Sequence, residues 1–295
     1  MNSEQYAEFE SLLPPLGSVP NLELFAKRLR VPYDVLSAAH AQAAQLQSWK
    51  NHISAKHRLP GLYKRYVSGE TLAELACEAE LPPCLLVRRF LELIPEAQGL
   101  KATHVLRNPK LLSSLPDGHA AAAASCEVPM PMSVDQQGLS AALLSRLQAD
   151  IMEAAEWDTV SSPQADLMRS VLGQEYEAIL AEKLRCANIA FFSEGRLRQE
   201  GFFKTPDVKL EVPVLMHGQV VTWIDSKAMF GSERYHMQQQ ELQYAKYLNR
   251  FGPGAVIYWF GFYEGLEDLH PDVLVLGDIP DSSDILQLRQ LPLLD

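Results

Sequence analysis

At 295 residues, with 47% hydrophobic and 21% charged side chains, the chain has the composition of an ordinary globular protein and the length for two domains. No apolar run approaches the roughly 18 residues of a spanning helix, and the start MNSEQYAEFE lacks the basic-then-apolar order of a secretory signal. The formal net charge of −11 is uneven: residues 27–110 hold thirteen Lys/Arg against seven Asp/Glu, and residues 111–295 hold thirteen against twenty-six. An acidic domain gains little from neutralising phosphates in general. Exposed charges more than about 10 Å apart are screened, however, so local patches and bound cations decide whether nucleic acid is a partner.

Residues 1–115 read as a helical, helix-turn-helix-like domain. In GETLAELACEAELPPCLLVRRFLELI, Thr71 and Glu74 have capping-box spacing, and Leu72, Leu75, Ala76 and Ala79 form an apolar stripe. Leu81-Pro82-Pro83 breaks this helix, and a second runs from Cys84 to about Ile94. Arg88 and Arg89 then stand on the second helix, where a recognition helix would carry them. A plain packing unit fits the same pattern. Residues 21–40 look like a weaker copy. Cys77, Cys84, Cys126 and Cys186 contain no CxxC pair, which argues against a disulfide framework or zinc site and fits a reducing compartment.

Residues 116–138, with an alanine tract, prolines and small polar residues, read as a linker or flexible insert. Residues 139–295 read as an α/β domain with a mixed central sheet flanked by helices. After a helix from Ser140 to about Glu156, Ser162-Pro163 starts another that runs to about Arg185. VKLEVPV (208–214) alternates, with Val208, Leu210, Val212 and Val214 to one side. In VVTWIDSKA (220–228), Val221, Trp223, Asp225 and Lys227 share a face. His217-Gly218 makes the two a hairpin. A helix from about Tyr235 to Phe251 and a doubly buried strand, AVIYWFGF (255–262), complete the order.

The hairpin carries the chemistry. Phosphodiester hydrolysis needs an activated water and neutralisation of phosphate charge, both of which a divalent cation supplies. Mg²⁺ takes hard oxygen ligands and keeps several waters, so two or three carboxylates suffice. Thr205-Pro206-Asp207 and Asp225-Ser226-Lys227 supply two carboxylates, a main-chain oxygen at Ser226 and an ammonium, the pattern of a PD-(D/E)xK site. PD also occurs at Asp117, Asp272 and Asp281, and Asp207-Val208-Lys209 is a second D-x-K, so placement on the hairpin is what singles out this set. A tight turn at His217-Gly218 would pair Asp225 with about Leu210. Bringing it to Asp207 therefore requires a bulge near Pro213 or a wider turn. A third carboxylate should come from the preceding helix. A helical wheel puts Glu175 among Met168, Val171, Leu172 and Ile179, on an apolar face, and Glu177 toward the polar side.

TPDVKLEVPV, WIDSKAMFG and QYAKYLNRFGPGAVIYWFGF, spread over about residues 161–265, resemble the codanin-interacting nuclease family of the PD-(D/E)xK, restriction-endonuclease-like superfamily. The resemblance implies that fold, Mg²⁺ or Mn²⁺ dependence, and N-terminal helix-turn-helix regions. It implies Asp207 and Asp225 as metal ligands and Lys227 as the catalytic lysine. The family usually carries Glu where Asp225 stands, and Asp is one methylene shorter. The superfamily's G-x-x-x-E spacing points to Glu177 rather than Glu175. Gln243 and Tyr247 match its Q-x-x-x-Y element. They share a helical face from which to reach a nucleic-acid backbone or metal-bound water, or Tyr247 simply packs in the core. Arg250, near that helix's end, suits a phosphate or the helix dipole. The implied partners are nucleic acid, DNA before RNA, and a codanin-like regulator of chromatin. The implied location is intracellular, in nucleus and cytoplasm if the source is eukaryotic.

Overall fold

The computed structural model describes residues 1–13, 21–97, 99–114 and 140–287, so the expected linker lies outside the described residues. The described residues form two compact units, one from 1–13, 21–43 and 169–287, the other from those between 44 and 168. The division differs from the boundaries read in the sequence. The earliest helices pack with the sheet, and the helix after Ser140 packs with the helical unit, because each buries its apolar side there.

The helical unit contains α4 (Leu59–Val67), α5 (Leu72–Ala79), α6 (Pro83–Leu93), α7 (Ala102–Arg107) and α8 (Ala141–Trp157), and its core includes Tyr66, Leu75, Leu86, Phe90 and Leu147. Thr71 and Glu74 form the expected capping box. In the sheet unit, α1 (Ser3–Leu12), α2 (Leu22–Leu29) and the start of α3 (Tyr33–Ala55) bury Phe9, Leu29 and Leu36 with Phe230. The turn between α2 and α3 repeats the turn between α5 and α6 at an offset of fifty residues. Asn21 and Thr71 cap, Arg30 and Glu80 take φ of 54° and 51°, and buried Val31 and Leu81 donate back to Ala26 and Ala76. A proline then opens each second helix. Arg88, read as a candidate recognition residue, instead donates to the Ser161 carbonyl and Asp166, and Arg89 pairs with Glu92 on its own helix.

The sheet order is β1 (Phe191–Ser193), β2 (Val208–Met216), β3 (Gln219–Lys227), β4 (Gly254–Tyr258), β5 (Val273–Leu276), with β6 (Ile285–Gln287) also on β2. β1–β2 and β2–β3 are antiparallel; β3–β4 and β4–β5 are parallel. α9 (Pro163–Cys186) sets Leu180 and Leu184 against one face. α11 (Glu233–Gln239) and α12 (Ala245–Phe251), joined by a π-helical stretch at Gln240–Tyr244, set Tyr244 and Tyr247 against the other. A short α10 (Glu194–Gln199) follows β1.

His217 and Gly218, at φ 46° and 78°, form the two-residue hairpin turn and set Met216 opposite Gln219. The pairing runs to Val214–Val221, then resumes at Lys209–Trp223 and Val208–Ile224, so four residues of β2 face one of β3. This irregularity breaks the expected alternation. Val212 is 39% exposed rather than inward. Val221 packs with Ile224 on the α9 side, while Trp223 packs on the α12 side. β4 is buried throughout but ends at Tyr258; Gly261, at φ 82°, turns the chain before the expected strand is complete. Among the described residues no helix is long and apolar enough to cross a membrane.

Candidate active site

The β2 irregularity brings the two halves of the site together. One step beyond the Val208–Ile224 pair, Asp207 stands across from Asp225, and the Ser226 amide donates to Asp207 Oδ2 at 2.7 Å. The loop carrying Asp207 is held from two sides. The Glu194 amide donates to the Asp207 carbonyl at 2.9 Å, and the Tyr247 hydroxyl donates to the Thr205 carbonyl at 3.0 Å. β3 lies between β2 and β4, so Asp225 is 2% exposed.

Asp225 Oδ2 lies 2.5 Å from the Lys227 ammonium, an ion pair without hydrogen-bond alignment, and is otherwise unpartnered. A buried carboxylate in that condition has a strong demand for a cation. Lys227 also donates to Gln243 Oε1 at 3.3 Å. Burial lowers the Lys227 pKa, but Asp225, Tyr235 and Asp207 outweigh burial and leave it above its ordinary value, so the side chain is an ammonium at neutral pH. Asp207 is pushed well up, first by burial and then by Asp225, with Lys227 and the Ser226 amide opposing.

Glu177 is raised by burial and then by Glu194 and Asp225, so it belongs to the same field. Glu175 and Glu177 are both exposed, but they lie two residues apart and so on opposite sides of α9. The apolar stripe around Glu175 is not buried as a whole: Met168 and Val171 are about half exposed. The helix instead packs through Leu180 and Leu184, three and seven residues after Glu177 and on its side. Ser226 turns its hydroxyl away, accepting from Trp259 Nε1 at 2.8 Å. Gln243 and Tyr247 both face the site, as the orienter of Lys227 and the anchor of the Asp207 loop. Tyr247 also packs edge-on against Trp223. Arg250 donates to the Phe203 and Lys204 carbonyls.

Two residues of the site were not picked out in the sequence. Glu194 opens α10, accepts from the Thr205 hydroxyl at 3.3 Å and pairs with Arg198. The strand-then-Ser193 cap is the signal that would have marked that helix start. Tyr235 lies close enough to Lys227 for each to shift the other, and nothing in its spacing foretells that.

Among the described residues no three His, Cys, Asp or Glu side chains are gathered into a ready-made metal cluster. The donor set is a facing pair of carboxylates with Glu177 beyond it. All donors are hard oxygens, which suits an ion that keeps its own waters rather than zinc. Such a pair could hold an ion of the Mg²⁺ or Mn²⁺ kind.

Residues 144–279 match a family described as a protein of unknown function with a TPD sequence motif, and Thr205-Pro206-Asp207 is the chain's one such tripeptide. The chain is 31% identical over 281 residues to CDAN1-interacting nuclease 1 of Mus musculus and of Homo sapiens, covering 88% of this chain and 89% of each relative. It is 34% identical over 256 residues to the Xenopus laevis protein of the same name, covering 82% and 76%. No solved structure matches.

Proposed function

This chain belongs to the CDAN1-interacting nuclease 1 family, and from that footing we propose that it is a metal-dependent nuclease acting through Asp207, Asp225 and Lys227. The observation that carries the reading is the buried Asp225, which faces Asp207 across the hairpin and whose Oδ2 has no hydrogen-bond partner and lies 2.5 Å from the neighbouring ammonium. Asp207 and Asp225 would hold Mg²⁺ or Mn²⁺, with the Ser226 carbonyl and Glu177 as further oxygen donors. When bound, the ion supplies an activated water and neutralises phosphate charge. Lys227, kept protonated by its two aspartates and aimed by Gln243, stabilises the negative charge that develops on the phosphate. Tyr247 keeps Asp207 in place. The helix–sheet–helix layering supports a restriction-endonuclease-like classification. The paired helix-turn-helix outlines support DNA before RNA as substrate.

Purified protein should cut a panel of single-stranded, duplex and branched DNA and RNA with Mn²⁺, and Asp225→Ala or Lys227→Ala should abolish cutting. Equal cutting by all three proteins would trace the activity to a contaminant and sink the proposal.

The relatives' names support a second role, as partner of a codanin-like protein, for which nucleus and cytoplasm are the proposed locations. The acidic balance of residues 111–295 leaves that role open even without catalysis. Rescue of a knockout by the Asp225→Ala protein would make partner binding the main function. Failure of rescue, with binding intact, would make catalysis the main function.

A further inference from the structure

Phe202 and Phe203 are adjacent on the loop that leads into Thr205-Pro206-Asp207, and they behave oppositely. Phe202 packs against Phe251, with ring centroids 6.0 Å apart. Phe203 is 83% exposed, the most exposed large hydrophobic side chain among the described residues. A lone exposed ring is unremarkable on a loose loop. This loop is not loose. Arg250 holds the carbonyls of Phe203 and Lys204, and Tyr247 holds the carbonyl of Thr205. Lys204 sits in the left-handed region at φ 54°. The backbone on both sides of the ring is held by side-chain hydrogen bonds, and the ring stands out from it into solvent.

One helix sets the spacing. Gln243 contacts Lys227, Tyr247 the Asp207 loop and Arg250 the Phe203 carbonyl, at successive turns. At 1.5 Å rise per residue, Gln243 and Arg250 are roughly 10 Å apart along the helix. Phe203 precedes Asp207 by four residues, and its carbonyl is held by the same helix that reaches Lys227 and the Asp207 loop, so the exposed ring belongs to the rim of the site. Exposed Lys204 and Arg250 flank it with positive charge on an otherwise acidic unit.

We propose that Phe203 stacks on an unpaired base next to the scissile phosphate, which makes single-stranded or frayed, branched nucleic acid the substrate class of this site. A base inside a duplex has both faces covered by its neighbours and offers the ring nothing, whereas an unpaired base does. Aromatic stacking with basic neighbours is how single strands are held without sequence preference. The inference rests on the nuclease reading above.

The test uses the full chain with Mn²⁺, and wild type, Phe203→Ala and Phe203→Trp. On a single-stranded oligonucleotide, Phe203→Ala should raise KM about tenfold with little change in kcat. Phe203→Trp should restore KM, and blunt duplex should be insensitive to either change. Binding is read separately, without metal, by quenching of 2-aminopurine placed beside the cut position: wild type and Phe203→Trp quench it, Phe203→Ala does not. Equal KM and equal quenching for wild type and Phe203→Ala would overturn the stacking role while leaving the catalytic assignment intact. Absence of cutting by wild type would instead remove the nuclease reading, and quenching would still decide on Phe203. Loss of codanin binding by Phe203→Ala, with unaltered quenching, would assign the ring to a protein contact and overturn the proposal.

Discussion

Asp207 stands across the hairpin from Asp225 only because β2 carries four residues, Leu210 to Pro213, where β3 carries Thr222 alone. Without that irregularity the two-residue turn at His217-Gly218 would set Leu210 opposite Asp225 and leave the carboxylates apart.

The same irregularity predicts an asymmetry between two valines. Val212 lies in the irregular stretch and is exposed, whereas Val214 is 3% exposed and packs against Leu180 and Leu184. Val212→Lys should shift stability by no more than about 0.5 kcal/mol. Val214→Lys buries an unpaired charge and should cost more than about 4 kcal/mol, enough to unfold the domain. Urea midpoints of the two variants measure the difference; similar midpoints would mean that β2 alternates regularly after all.

The raised Asp207 pKa has a definite sign in stability. The native state holds the Asp207 proton more tightly than the unfolded chain, where the group titrates near 3.8. Stability from this group is therefore greatest at low pH and falls as pH rises from about 3.8 through the folded-state value. Asp207→Asn removes the penalty and still accepts from the Ser226 amide. In metal-free buffer at pH 7 the variant should melt roughly 2–4 °C above wild type, the scale of about 1 kcal/mol, and the gain should vanish below pH 4. Mn²⁺ should then raise the wild-type Tm and leave the variant unmoved. A variant that melts lower at pH 7 without metal would contradict the burial argument.

Glu177 and Glu175 should separate cleanly. Glu177 shares the field of Asp225 and Glu194, and Glu175 does not. Glu177→Gln should weaken Mn²⁺ binding about tenfold or more, within the 10–100-fold range for outer-shell groups, while Glu175→Gln stays near wild type. Calorimetric titration of the two proteins decides, and equal affinities would remove Glu177 from the site.

Gly254 is fixed by contact rather than by conformation. A methyl group there would run into the indole of Trp223, which is held by its Nε1 donating to the Gly252 carbonyl at 2.8 Å. Trp223 lies two residues before Asp225 and under Tyr247. Gly254→Ala should cost about 1–3 kcal/mol by overpacking and lower activity beyond what unfolding explains. Thermal melts and assays on the folded fraction check both effects; a neutral Gly254→Ala would mean that the indole has room to move.

Much was determined by the sequence alone. The capping box at Thr71, the helix break at Leu81-Pro82-Pro83, the hairpin at His217-Gly218 and the buried strand before Trp259 all follow from local rules of capping, turn chemistry and periodicity. The identity of Asp207, Asp225 and Lys227 as the charged groups of that hairpin was legible because a core strand rarely ends in charges without a use for them. The facing of the carboxylates was decided only in three dimensions, since a register shift depends on how both strands pack, not on either strand's pattern. The side of α9 that meets the sheet was likewise tertiary. The sequence shows an apolar stripe on α9 but not which stripe the sheet covers, and the sheet covers Leu180 and Leu184. Glu194, Tyr235 and the rigid display of Phe203 arise from hydrogen bonds and fields between segments far apart in the chain, which no local pattern records.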